Sequence, residues 1–188
     1  MKFSEKSDRQ KMEGSGKKLV LLIAGVALVA GGTAWFYQYE TTHRATKFWG
    51  PVAAPLIARP SQVEIWQFEP PVVGAEALWQ STALSEPMDL SKVRGMVHLR
   101  RVLISDQNYL WDREIDPEGV TWRWRLELAD ERSSALIVLA EGFATVGLLD
   151  SKQQRLLAAN CQPMAETIAE YFAAIGLLKA EEAASTTR

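Results

Sequence analysis

Residues able to do polar chemistry are scarce in this chain: two His and one Cys among 188 residues. His98 is the more suggestive histidine. If residues 90–105 are helical, Arg94, His98, Arg101 and Ser105 fall within about 60° of arc, because each residue turns the helix by 100°. Such a basic stripe would hold an anionic ligand, or let His98 serve as a general base. Arg94, His98 and Arg101 are therefore the candidate ligand-binding residues. The same pattern also describes a solvated helix face, and no nucleophile stands beside it at a known spacing. His43 lies next to an apolar span and reads as an interfacial residue.

The segment 106–118 carries Asp106, Asp112, Glu114, Asp116 and Glu118. Alternate acids resemble a calcium loop, in which oxygen ligands surround a hard cation. The twelve-residue frame fails, however. Counted from Asp112, its glycine position is Pro117 and its closing glutamate position is Arg123, so a solvated acidic loop is the expectation. Trp122-Arg123-Trp124-Arg125 interleaves aromatic rings with cations, as surfaces that stack bases do. Strand alternation would send the Trp pair into the core and the Arg pair to solvent or to a protein partner. Cys161 has no partner for an internal disulfide and is expected buried and inert, or else paired between molecules. No sequon, serine elbow, HExxH, CxxC or dinucleotide fingerprint occurs, and Gly14-Ser15-Gly16-Lys17-Lys18 lacks the glycine spacing of a phosphate loop. No catalytic residue, metal or cofactor is assigned.

A formal charge of −2 leaves no footprint for nucleic acid. The strongest signal is the uncharged run Leu19–Tyr39, LVLLIAGVALVAGGTAWFYQY. About 20 residues at 1.5 Å each cross the roughly 30 Å apolar core of a bilayer. Trp35, Phe36, Tyr37 and Tyr39 stand where an interfacial aromatic belt belongs. Residues 1–18 carry six Lys/Arg and the segment 40–57 only two, so the positive-inside rule places the N-terminus in the cytoplasm and the remainder outside it. A cleaved signal peptide is the rival reading, with Leu19–Ala30 as its apolar region and Gly32-Thr33-Ala34 as its cleavage site. Ala27/Gly31 and Ala30/Ala34 have the small-residue spacing that permits close helix approach, although an Ala/Gly-rich anchor acquires such spacing easily.

Five segments follow: a cytoplasmic basic tail 1–18, a transmembrane helix 19–39, a juxtamembrane stalk 40–60, an α+β extracytoplasmic domain 61–178 and a disordered tail 179–188. In the stalk, Thr42–Trp49 would prolong the anchor helix until Gly50-Pro51 interrupts it, with a short helical piece at Leu56–Arg59. Gln62–Phe68 alternates as a strand stopped by Pro70-Pro71, and Ala75–Trp79 suits a helical turn. Leu90–Ser105 reads as a helix capped by Asp89 or Ser91. Its apolar face is Met96, Leu99 and Leu103 with Val97 and Ile104 beside it, and Arg100 either snorkels or meets a buried carboxylate. A β-meander follows. Val120, Trp122, Trp124, Leu126 and Leu128 share one face of its first strand; Ala135–Ala140 is apolar on both faces; Ala144–Leu149 and Arg155–Ala159 are joined by the Asp150–Gln154 turn. A helix from Pro163 to Ile175 ends at Gly176. The expected fold is α+β, an antiparallel sheet with helices packed on one face.

The functional expectation is a single-span membrane protein presenting this domain for protein interaction or assembly, its partners being the bilayer through 19–39 and another protein or a second copy. Two alternatives are a tethered hydrolase using His98 with an acid of the 106–118 loop, and a small-ligand sensor.

Overall fold

The computed structural model describes residues 5–82, 84–150 and 155–178. The tail 179–188 and residues 151–154 of the expected turn lie outside them. The chain divides into two units, Met1–His43 and Arg44–Arg188.

The first unit is helix α1, Glu5–Thr42. Leu19–Tyr37 is long and apolar enough to cross a membrane, and none of it is buried within the chain. A helix that exposes such a surface throughout has no core of its own to explain it. The Thr33 hydroxyl donates back to the carbonyls of Val29 at 2.9 Å and Ala30 at 3.0 Å, so that polar group is satisfied without water. Trp35, Tyr39 and His43 stack at successive four-residue steps, with ring centroids 5.8 and 4.3 Å apart.

The second unit is an α+β domain around a six-stranded antiparallel sheet. Its elements are α2 (Arg44–Ala58), β1 (Gln62–Val73), α3 (Ala75–Gln80), β2 (Met88–Asp89), α4 (Met96–Ile104), β3 (Thr121–Ala129), β4 (Ser134–Ala140), β5 (Thr145–Asp150), β6 (Arg155–Asn160) and α5 (Ala165–Ala174). The strands lie in the order β2-β1-β3-β4-β5-β6. β4, apolar on both faces, sits inside the sheet as its composition requires.

Helices α2, α4 and α5 cover one face. Ala45, Trp49, Ala53, Leu56 and Ile57 of α2, Leu99 and Leu103 of α4, and Ile168 and Phe172 of α5 meet Val63, Ile65, Trp124, Leu126, Ile137 and Val146 of the sheet. The segment read as a stalk thus contributes one of the three core helices. Gly50 (φ 69°, ψ −176°) interrupts the helix as expected, and a second helical stretch runs on from Pro51 to Ala58. Glycine tolerates that geometry, and Pro51 then opens the second half where its missing N–H costs nothing.

Three expectations are corrected. Helix α4 starts at Met96, not Leu90, behind Gly95 in the left-handed region (φ 94°). Asp89 and Ser91 serve the sheet edge instead: Ser91 N–H donates to Asp89 at 2.8 Å, and Val63 N–H donates to the Ser91 hydroxyl at 2.9 Å. Val97, expected beside the apolar face, is 64% exposed. Pro70-Pro71 does not stop β1, because pairing with β3 lapses after Gln67 and resumes at Val72 across an irregularity. Arg100 reaches the Ala58 carbonyl at 3.2 Å, the C-terminal residue of α2, where a cation meets unpaired helix carbonyls. Gly176 (φ 80°) takes the expected place after α5, with Leu177 N–H donating to the Phe172 carbonyl at 2.9 Å.

The start of α2 is held by a side chain from the far end of α4. Asp106 accepts a very short hydrogen bond from Ala45 N–H, satisfying a first-turn donor and placing a carboxylate at the positive end of the helix. Asp106→Ala should lower stability by about 1–2 kcal/mol, and Asp106→Asn, which keeps an acceptor, by less. Urea denaturation of the two variants checks this; equal losses would remove the charge contribution.

Candidate functional site

The sheet face turned away from α2, α4 and α5 is covered in part, by α3 and by the turn Pro117–Gly119, which lies against α3 and β6. Leu78 of α3 packs there with Phe68, Trp122, Val138 and Leu149, and Val72, Leu84, Leu136, Leu156 and Ala158 remain half-buried around them. Gly147 lets this face close up under Trp122. A β-carbon at Gly147 would come within 2.8 Å of Val138 and 3.2 Å of the Trp122 ring.

Polar groups cross the same face in rows fixed by strand register. Asp89, Glu64 and Glu127 are successive partners across β2, β1 and β3, and Trp66 faces Arg125 in the next row. The Arg125 guanidinium carbon lies 5.5 Å from the centroid of the Trp66 ring, a cation–π contact. Its Nη2 is 3.9 Å from Glu127, while Gln62 donates to Glu64 at 2.7 Å. The Ser91 hydrogen bonds hold the exposed Asp89 carboxyl below its usual pKa. Like charges directly opposite in a sheet repel, so the acidic row is balanced by Arg125 only in part. Among the described residues no group of three or more His, Cys, Asp or Glu is placed to hold a metal ion.

Trp122 and Trp124 do not share a face, contrary to simple alternation. Trp122 pairs with Ala140 but Trp124 with Leu139, so β3 carries one extra residue, Arg123. That bulge turns Val120 and Trp122 to the open face and leaves Trp124 among Phe143 and Phe172 on the helix side. Arg123 fastens it. The Gln67 side-chain oxygen accepts from Arg123 Nε at 2.7 Å and Nη2 at 2.6 Å, and Glu141 lies 3.8 Å away.

The candidate basic stripe does not form as drawn. Arg94 stands in the turn before α4, and only His98 and Arg101 lie on the helix, both exposed. His98 belongs to the first turn of α4, about 9 Å along the axis from the helix end at Ile104, and Asp106 lies beyond that end. The Asp106 carboxylate is engaged at Ala45, and Asp112 is exposed. The acidic loop is also tied by its backbone: Asp116 accepts from Glu118 N–H at 3.1 Å, an Asx turn. Sequence reasoning passed over Glu64, Trp66 and Asp89. The alternation of QVEIWQF contained that signal, but which strands would lie beside it was not readable.

Comparison with known proteins finds no family model, no curated protein and no solved structure that matches the chain.

Cys161, at the junction of β6 and α5, is fully buried and donates to the Phe143 carbonyl at 3.1 Å. Burial pushes its thiol from 9.0 to about 12. Burial likewise pushes Tyr109 well above the usual tyrosine value; its hydroxyl donates to the Leu103 carbonyl at 2.5 Å. Both groups keep their protons in the native state when the unfolded chain has begun to release them. Stability is therefore complete below about pH 9 and falls as pH rises toward 12. Urea unfolding at about pH 8 and about pH 10.5 should show the loss, and Cys161→Ala should shrink it. A thiol reagent that labels the folded protein at about pH 8 would contradict the burial.

Proposed function

We propose that this chain is a single-span membrane protein whose α+β domain serves as an assembly module outside the cytoplasm. The Leu19–Tyr37 segment supports the anchor by length and composition. The excess of Lys/Arg before it supports an N-terminus inside the cytoplasm. The observation that carries the assembly reading is the open sheet face. It joins half-buried apolar side chains to a partly balanced row of carboxylates, Asp89, Glu64 and Glu127. An apolar patch rimmed by polar residues is characteristic of a protein contact. The fitting partner is a protein surface with apolar side chains around a Lys or Arg that meets Glu64 and Glu127, the cation Arg125 supplies only once.

Two measurements test this on the full chain in sealed vesicles. With the cytoplasmic side outward, protease should leave the domain intact; its digestion would overturn the orientation, and a mature chain starting after Ala34 would overturn the anchor. A photo-crosslinker at Trp66 should join one discrete protein, and the same group at Val97 on α4 should not. Glu64→Lys with Glu127→Lys should abolish that adduct. Absent adducts at Trp66, or equal adducts at both positions, would defeat the assembly reading.

A further inference from the structure

Charge is segregated in the second unit. Residues 44–59 and 94–105, which hold α2 and α4, carry six Lys/Arg and no Asp or Glu. The rest of residues 44–178 carries 17 Asp/Glu against seven Lys/Arg. The formal charge of −2 thus conceals a basic region on an acidic domain.

That region is one surface. Helices α2 and α4 lie side by side: the Trp49 indole donates to the Leu103 carbonyl at 2.7 Å, and Arg100 reaches the Ala58 carbonyl at 3.2 Å. Each helix turns its buried stripe to the sheet. With Met96, Leu99 and Leu103 inward, the 100° step points Val97, His98 and Arg101 outward from α4. With Ala45, Trp49, Ala53 and Ile57 inward, Lys47, Val52, Pro55 and Arg59 point outward from α2. Arg44 begins α2 and Arg94 stands just before α4, both exposed. Among the described residues no carboxylate forms an ion pair with Arg44, Arg59, Arg94 or Arg101. Val52 and Val97 are each more than half exposed between these cations.

The exposed residues of α2 and α4 include none of the aromatic anchors that protein hot spots favour. Long cations around scattered apolar side chains are instead the composition of a surface that settles on lipid headgroups. The chain also keeps such headgroups within reach. Arg44 follows Tyr37, the last residue of the apolar span, by seven positions, and seven residues extend at most about 25 Å. A ligand held that near is met at high effective concentration, so individually weak contacts suffice.

We propose that the α2–α4 face binds the anionic phospholipid headgroups of the membrane that anchors the chain. Arg44, Arg59, Arg94 and Arg101 meet phosphates, which guanidinium groups grip in a fork, while Val52 and Val97 enter the interface. This rests on the anchor and not on its orientation. It goes beyond the assembly reading, because the acidic rows lie across the sheet from α2 and α4 and stay available to a protein.

The test uses the full chain in vesicles of phosphatidylcholine alone and of phosphatidylcholine mixed with phosphatidylglycerol. A fluorophore on Val97→Cys, in a Cys161→Ala background, should be quenched by headgroup spin-labelled lipid at least about threefold more in the mixed vesicles, at about 0.1 M salt. The same fluorophore on Glu76→Cys, exposed on α3 across the sheet, should be quenched alike in both. Arg94→Glu with Arg101→Glu, or about 1 M salt, should return Val97 to its phosphatidylcholine level. Equal quenching of Val97 in the two lipids would overturn the lipid site, as would a matching rise at Glu76 or extra quenching that survives either the reversal or the salt. A discrete protein adduct at Val97 in native membranes would overturn it in favour of an acidic protein partner. Alkaline carbonate separates this inference from the anchor. Chain stripped from the vesicles counts against the anchor, whereas chain that stays with Val97 unquenched counts against the lipid site alone.

Discussion

A β-strand has two faces, and one extra residue exchanges them. The domain depends on where that exchange happens. Without the bulge at Arg123, Trp122 and Trp124 would both stand under the helices, and Leu149 and Val138 would lose the ring that covers them. With it, one indole packs against Phe172 of α5 and the other lies over Gly147 on the far side. The irregularity in β1 between Gln67 and Val72 lies next to it, and Arg123 bonded to Gln67 ties the two distortions together. Two aromatic anchors thus stiffen both faces of one sheet.

The same sheet needs three helices on its other side, and the chain supplies the first of them immediately after α1. Ala45 is already fully buried. Trp49 donates its indole N–H to the Leu103 carbonyl at 2.7 Å, a carbonyl Tyr109 shares, while Phe48, Tyr109 and Trp111 gather beside it. Helix α2 therefore cannot be released as a flexible leash without opening the core, and the folded domain begins at Arg44.

The sequence disclosed what local period and composition control. The apolar run of α1, the alternation of β3 from Trp124 to Leu128, the doubly apolar β4 and the glycine after α5 were all legible. What stayed hidden depends on contacts between distant segments. Asp89 resembles a helix cap because caps and Asx turns use the same side-chain bond; only the placement of β2 beside β1 shows that its turn ends a strand. The break at Gly50-Pro51 was readable, but the burial of Trp49 and Ala53 on either side of it, which makes the segment part of the core, is a tertiary fact. For the site, Arg123 and Arg125 were visible as cations on a strand. Trp66, which stacks on Arg125, and Gln67, which accepts from Arg123, became their neighbours only through the pairing of β1 with β3. Arg94 dropped out of the basic stripe because Gly95, in a left-handed conformation that brings the backbone against the Tyr171 ring, delays the helix.

Several polar groups of this domain serve its structure. Asp106, the acid best placed by sequence to serve His98, caps α2. Asp116 shapes a turn, Arg100 meets the end of a helix, and Cys161 is sealed among backbone carbonyls. The sheet face opposite the helices is half-covered and acidic across its rows. Hydrogen-bonding capacity on an apolar edge strand carries an aggregation hazard that proteins ordinarily suppress with prolines or charges. At one edge the two-residue β2 after Pro87 is such a device, and at the other the Leu110 N–H bonded to the Asn160 carbonyl and the turn Pro117–Gly119 lie against β6.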